Sequence, residues 1–174
     1  MKAEQLMMAK ALCVKVEEVA KVRGIDFWQR FLEIACYTVG CEAASLYTVD
    51  EQRRLLTISR AVGPFARELR DLSFYRQGCA GWCSENREAM FSNDVENDKR
   101  FCQKVDKVTG FRTRNIICIP TMRKDALIGV LELMNKCGGD FTEEDKEFLI
   151  FMCAFASETA AEHNIDPDAV VFSY

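Results

Sequence analysis

The chain has 174 residues, 49% hydrophobic and 29% charged, and 27 acidic against 23 basic side chains leave a formal net charge of −4. That length suits one domain with a sizeable core, and the charge balance carries no global electrostatic pull towards nucleic acid. Nine glycines and three prolines exclude collagenous and disordered classes, and a single histidine argues against imidazole-dependent metal, haem or triad chemistry.

Residues 3–22 predict a helix in which Leu12, Val16, Val19 and Ala20 fall between charges. The same stretch has no signal-peptide core, and the nine cysteines are an odd set without a CxxC pair. Free, mostly buried thiols in a reducing cytoplasm fit that usage. Gly24 interrupts the helix, and Asp26 is an N-cap for a second one, with Phe27, Phe31, Ile34 and Ala35 on one side. The period then changes to two. Ala43–Val49 and Leu55–Ala61 predict a hairpin about the polar turn Asp50–Arg54, and residues 64–77 read as irregular. Gly78 opens a short helix running to about Arg87, Ala89–Ser92 is strand-like, and Asp98–Val105 is helix-like. Ile116–Met122 and Ala126–Met134 predict a second hairpin about Arg123–Asp125. Thr142 followed by Asp145 resembles a capping box, and the helix it opens carries the apolar run Phe148–Ala156. His163 lies in the last turn of that helix as a solvated residue, and residues 165–174, with Pro167, read as a tail. No run approaches the roughly 18 apolar residues of a membrane span. Nothing resembles a nucleoside-triphosphate loop or a dinucleotide fingerprint. Helices at both ends of a mostly antiparallel sheet predict an α+β architecture.

Alternation in Ile128–Met134 puts Glu132 on the face shared by Ile128, Val130 and Met134. A carboxylate on an apolar sheet face needs a donor or stays protonated. That donor is either an Arg or Thr from a loop, or the carboxylate forms a polar wall inside a ligand pocket. Ser45, beside Ala43 and Tyr47, leaves room for something flat, or its hydroxyl bonds back into its own sheet. The helix start Gly78–Gly81 presents backbone N–H groups suited to an anionic oxygen. Asp106–Arg114 is dense in donors and acceptors, which also suits a solvated loop. Cys79 and Cys83, four apart, share a helix face, but two thiolates do not complete a zinc site, and no metal is expected.

The segment GCAGWCSENREAMFSNDVENDKRFCQKVDKVTGFRTRNIICIP, residues 78–120, resembles the GAF domain family, with its G-x-A-G helix start, D-x-x-x-D-x-R-F segment and D-x-x-T-G-F-x-T-x-x-I-L-C-x-P segment. The likeness covers nearly all of residues 25–160 and is closest to the cyclic-nucleotide-binding kind found beside phosphodiesterase and adenylyl cyclase catalytic domains. The family signature continues through Asn135, Lys136, Phe141 and Asp145, with Lys146 replacing its final Glu. The resemblance implies a Lys136–Asp145 salt bridge joining a strand end to the last helix. It implies phosphate contacts from backbone N–H groups at Cys79, Ala80 and Cys102. Asp106, Thr109 and Thr113 match the acid and threonines around base and sugar-phosphate, Glu132 the acid of the ribose and phosphate side, and Ser45 the serine on the sheet floor. A Phe-Asp pair that helps hold the purine in animal phosphodiesterase domains falls on Ser59 and Arg60, so Arg60 is the candidate base contact.

The resemblance implies a GAF/PAS-like antiparallel sheet of about six strands, with terminal helices on one face and short pocket helices on the other. The expected division is a signalling helix at 1–24, the GAF domain at 25–164 and the tail at 165–174. The expected function is regulatory binding of cyclic GMP or cyclic AMP, without catalysis by this chain. A homodimer through the terminal helices and an output domain outside this chain are the expected partners, with neither nucleic acid nor membrane. The alternatives are a ligand-free dimerisation module and a free methionine sulfoxide reductase, whose cysteine spacing is not matched well by Cys79, Cys83 and Cys102.

Overall fold

A computed structural model describes residues 3–22 and 25–166. Residues 23–24, where the first expected boundary falls, and the tail from Pro167 onwards lie outside the described residues. Helix α1, Ala3–Ala20, is followed by α2, Phe27–Val39, then β1, Cys41–Asp50, and β2, Leu55–Val62. Next come α3, Ala66–Leu69, β3, Ser73–Tyr75, α4, Gly78–Asn86, and β4, Met90–Ser92. The chain continues through α5, Lys104–Thr109, the hairpin β5, Ile116–Arg123, and β6, Ala126–Lys136, to α6, Glu143–Glu162. The strands form one six-stranded sheet in the order β3-β2-β1-β6-β5-β4, with every neighbouring pair antiparallel.

The helix boundaries follow from local chemistry. Asp26 caps α2 by accepting from Gln29 N at 3.1 Å, and Gly40, at φ 73°, ends it by donating its N–H to the Cys36 and Tyr37 carbonyls. At α6, Thr142 and Asp145 cap each other's backbone, so the shorter Asp serves where Glu is usual.

α1, α2 and α6 cover one face of the sheet. Trp28, Phe31 and Leu32 of α2, and Leu149, Met152 and Cys153 of α6, are buried there against Leu46, Ile117, Ile119, Leu131 and Leu133. Each such aliphatic side chain contributes about 1.5–3 kcal/mol on burial, so this layer fixes the sheet as a platform. The opposite face carries a second cluster, built from Tyr47, Leu56, Ile58, Cys79, Cys83, Ile116 and Val130 beneath the short elements α3, α4 and α5.

The structure differs from three expectations. The stretch 64–77 contains α3 and β3, because Leu55, Leu56 and Thr57 pair with Tyr75, Phe74 and Ser73 as a three-residue edge. Residues 98–103 are not helical. The Asp98 carboxylate takes the Arg100 N–H at 2.9 Å, a local bond that favours a turn, and the helix starts only at Lys104. Ile128 does not share the face of Glu132. A bulge between Thr121 and Met122 of β5 leaves Ile128 unpaired opposite them, and its side chain packs on the helical layer.

Candidate ligand-binding site

Alternation on β1 and β6 sends Ala43, Ser45, Tyr47, Glu132 and Met134 into one cavity of about 90 Å3. Its remaining walls come from β2, α3, the first turn of α4 and the segment 101–113. The cavity thus lies between the sheet and its short-helix cover.

Glu132 is the central charged group. It is 7% exposed and lies directly across from Ser45 in the β1–β6 register. Its Oε1 accepts from Tyr47 Oη at 2.9 Å and its Oε2 from Cys118 Sγ at 3.5 Å. Burial pushes its pKa up from 4.5 to about 7, the two hydrogen bonds oppose that shift, and the Asp106 charge adds to it. The partner is therefore a strand tyrosine, not a loop Arg or Thr, and the carboxylate also lines the cavity. Glu132 is thus both hydrogen-bonded by strand residues and part of the cavity wall. Tyr47 was legible as an inward strand position two residues from Ser45, but its reach to Glu132 depends on sheet register. Burial and the Glu132 carboxylate raise the Tyr47 hydroxyl well above its ordinary pKa of 10, so it serves as a donor.

The helix start is built by two close approaches. Gly78 sits at φ 73°, and a Cβ there would meet Cys102 Cβ at 3.3 Å; one on Gly81 would meet the Arg76 carbonyl carbon at 2.6 Å. Cys79, Ala80 and Cys102 consequently converge on the cavity. The N-cap residue Gln77 makes no side-chain cap, and its Oε1 instead accepts from Lys104 Nζ at 3.0 Å. The first amides of α4 are therefore left without the usual side-chain acceptor.

The cover is tied down by its own polar groups. Asp106, on α5, takes both the Thr113 N–H at 2.8 Å and the Thr113 hydroxyl at 2.9 Å. Thr109 Oγ1 donates to the Val105 carbonyl and accepts from Phe111 N, which shapes the exit from α5. The Phe65 and Phe111 rings meet edge to face at 6.4 Å between the α3 and α5 sides of the cover. Below them Arg100 forks onto Asp98 at 2.9 and 2.7 Å, lies 5.1 Å from the Trp82 ring centroid and holds the Asp98 carboxyl far below its ordinary range. This pins Phe101 in the cavity wall.

Ser45, Cys79, Ala80, Cys102, Asp106, Thr109, Thr113 and Glu132 all line this cavity. Arg60 does not, and its expected role as a base contact is corrected. A bulge leaves Ser59 unpaired between Ile58, which faces Tyr47, and Arg60, which faces Leu46. Alternation is thereby reversed, and Arg60 turns to the helical side. There it is 1% exposed, with Nε 3.2 Å from Asp26 Oδ1. Ser59 Oγ donates to the Leu46 carbonyl at 3.0 Å and is engaged within the sheet.

Asn135 and Lys136 join the cavity's strands to α6. Asn135, buried and at φ 57°, takes Arg114 N at 2.7 Å and donates to Glu42 Oε2 and the Arg112 carbonyl. Lys136 Nζ lies 2.5 Å from Asp145 Oδ2, and buried Phe141 is held through both its backbone groups by Asn93. These residues do not line the cavity; they anchor the end of its cover. Lys146 pairs with Glu143 and lies 5.8 Å from the Phe91 ring centroid.

Burial leaves the thiols of Cys79, Cys83 and Cys118 poorly disposed to react. All nine cysteines are free. Burial pushes Cys79 up to about 12 and raises Cys83 and Cys118 further above the ordinary value of 9.0. Among the described residues no group of three or more His, Cys, Asp or Glu could hold a metal ion, and no helix is long and apolar enough to cross a membrane.

An antiparallel sheet with terminal helices on one face, and a cavity closed by short helices on the other, defines a small sensor-type domain. The GAF domain family profile matches residues 24–160, and the chain belongs to that family. Among curated relatives, a probable 3',5'-cyclic phosphodiesterase pde-5 of Caenorhabditis elegans is 29% identical over 136 residues, covering 70% of this chain and 18% of that protein. A dual 3',5'-cyclic-AMP and -GMP phosphodiesterase 11A of Takifugu rubripes is 36% identical over 76 residues, 42% of this chain and 8% of that protein. The chain thus spans less than a fifth of either relative. Among solved structures, the GAF domain of an Acinetobacter phosphoenolpyruvate-protein phosphotransferase superposes with a TM-score of 0.75 at 20% identity, covering 94% of this chain and 97% of that one. A free methionine-R-sulfoxide reductase from Neisseria meningitidis, in complex with its substrate, gives 0.74 at 15% identity, covering 94% of each. Both likenesses bear on the fold alone.

Proposed function

We propose that the chain is a regulatory module that binds a cyclic nucleotide in the cavity, with the phosphate at the start of α4 and the base beneath the segment 98–114. One observation carries this reading. The positions drawn from the cyclic-nucleotide-binding pattern, Arg60 excepted, lie on different elements and line a single cavity. The phosphodiesterase relatives support the same ligand class.

The cavity as it stands, about 90 Å3, is below the roughly 300 Å3 at which small-molecule sites begin. Entry therefore displaces the cover and breaks the Phe65–Phe111 contact, and that displacement is the signal. Met7 and Val14 of α1 and Ile150 and Phe151 of α6 are exposed apolar side chains on the terminal helices, which supports a homodimer there as the route of transmission. A tethered output domain receives the change. The chain itself performs no catalysis in this reading, and burial pushes the cavity thiol of Cys79 up to about 12.

The small closed cavity and the already satisfied Glu132 favour one second reading, a ligand-free interaction module. Thermal unfolding separates the two. A nucleotide at a hundred times its Kd stabilises the fold by about 2.7 kcal/mol, a shift of a few degrees or more for a domain of this size. The binding reading requires such a shift with 1 mM cyclic AMP or cyclic GMP, reduced in Glu132→Ala and Thr113→Ala. No shift with either nucleotide selects the ligand-free module.

A further inference from the structure

The cavity is divided by polarity. Every lining residue contributed by segment 56–74 is apolar, chief among them Leu56, Ile58, Phe65, Leu69 and Phe74. All side-chain donors and acceptors, including Ser45, Tyr47, Asp106, Thr113 and Glu132, come from the other walls. The polar groups of β2 are spent elsewhere. Arg60 is turned to Asp26, and Ser59 Oγ is bonded to the Leu46 carbonyl. The backbone of β2 is occupied by its β1 and β3 ladders, and beyond the ladder Ile58 N donates to the Leu72 carbonyl while its own carbonyl takes Asp71 N.

A base with its phosphate at α4 and its ribose by Glu132 turns its outer edge to this wall. A purine edge there exchanges water for aliphatic carbon, and each polar atom it carries is buried without a partner. Guanine brings a lactam O6 and N1–H together with a 2-amino group. Adenine brings only N1 and a 6-amino group and is the less costly base to strip of water. Resting on the reading above, we infer that the apolar wall formed by segment 56–74 makes this a site for adenine 3',5'-cyclic monophosphate, discriminating against the guanine nucleotide.

The test titrates the wild-type chain with cyclic AMP, cyclic GMP and cyclic IMP, whose hypoxanthine carries the lactam edge without the 2-amino group. The expected result is cyclic AMP at least about tenfold tighter than both others, the scale of one unpaired buried polar group. Leu69→Gln, a half-buried position on α3 packed against the ligand-side cluster, adds an amide to the wall and should narrow the ratio of cyclic AMP to cyclic GMP affinity by about tenfold. Cyclic GMP binding as tightly as cyclic AMP overturns the inference while leaving the proposed function standing. So does cyclic IMP matching cyclic AMP while cyclic GMP alone is weak, because steric exclusion of the 2-amino group then sets the selectivity. An unchanged ratio in folded Leu69→Gln removes the wall as its cause. Binding of none of the three removes the proposed function and this inference with it.

Discussion

Replacing Glu132 by Gln should stabilise the fold at pH 8 relative to pH 5. The wild-type carboxyl is buried among Tyr47, Cys118 and carbon, with the Asp106 charge nearby, and its pKa is raised from 4.5 to about 7. The folded state therefore holds this proton over a range where the unfolded chain has lost it. The favourable contribution is complete below about pH 4.5 and is lost as pH rises through about 7. At 1.36 kcal/mol per pKa unit the whole effect is about 3 kcal/mol, most of it falling between pH 5 and pH 8. Gln cannot ionise, yet its amide oxygen still accepts from Tyr47. The constant cost of the substitution cancels when one variant is compared at two pH values. Urea unfolding of both proteins at pH 5 and pH 8 gives four free energies. Their double difference should be about 2–3 kcal/mol in favour of Gln at the higher pH. A double difference within about 0.5 kcal/mol of zero would refute the claim that burial governs this carboxyl.

Three further substitutions test other parts of the account. Arg60→Ala leaves the Asp26 carboxylate beside the α2 cap without its buried partner and should cost on the order of 3 kcal/mol in chemical denaturation, with nucleotide affinity of the folded fraction unchanged. Asp145→Ala removes both the α6 capping box and the Lys136 bridge and should lower stability by about 1–2 kcal/mol, whereas Lys136→Met removes the bridge alone and should cost about 1 kcal/mol or less. Gly81→Ala drives a methyl into the Arg76 backbone and should cost about 1–3 kcal/mol, with a drop in Tm that a surface control such as Glu85→Ala lacks.

The sequence disclosed whatever depends on local periodicity and capping. Asp26 and Gly40 bound α2, Thr142 and Asp145 open α6, and alternation on β1 and β6 points Ser45 and Glu132 to one face. What it concealed depends on register. The extra residue Ser59 reverses alternation on β2 and carries Arg60 from the ligand side to the helical side, and the unpaired Ile128 does the same on β6. Neither bulge leaves a mark in a pattern of apolar and polar residues, because Arg60 and Ile128 still find cover on the helical side, the first buried and the second half-buried. β3 was hidden for another reason, since three residues show too little alternation to count. The late start of α5 reflects competition: Asp98 gives its carboxylate to Arg100, and the turn it makes overrides the helical spacing of the residues after it. Tyr47 as the donor to Glu132 became visible only once β1 and β6 were paired.

Isothermal titration calorimetry of the purified chain with cyclic AMP and cyclic GMP tests the central claim most directly. The account predicts binding of at least one of them with a Kd below about 100 μM and one site per chain, at least tenfold weaker in Thr113→Ala, which removes the hydroxyl that Asp106 holds at the cavity wall. Absence of binding by both nucleotides above that concentration, in protein shown to be folded, would contradict it.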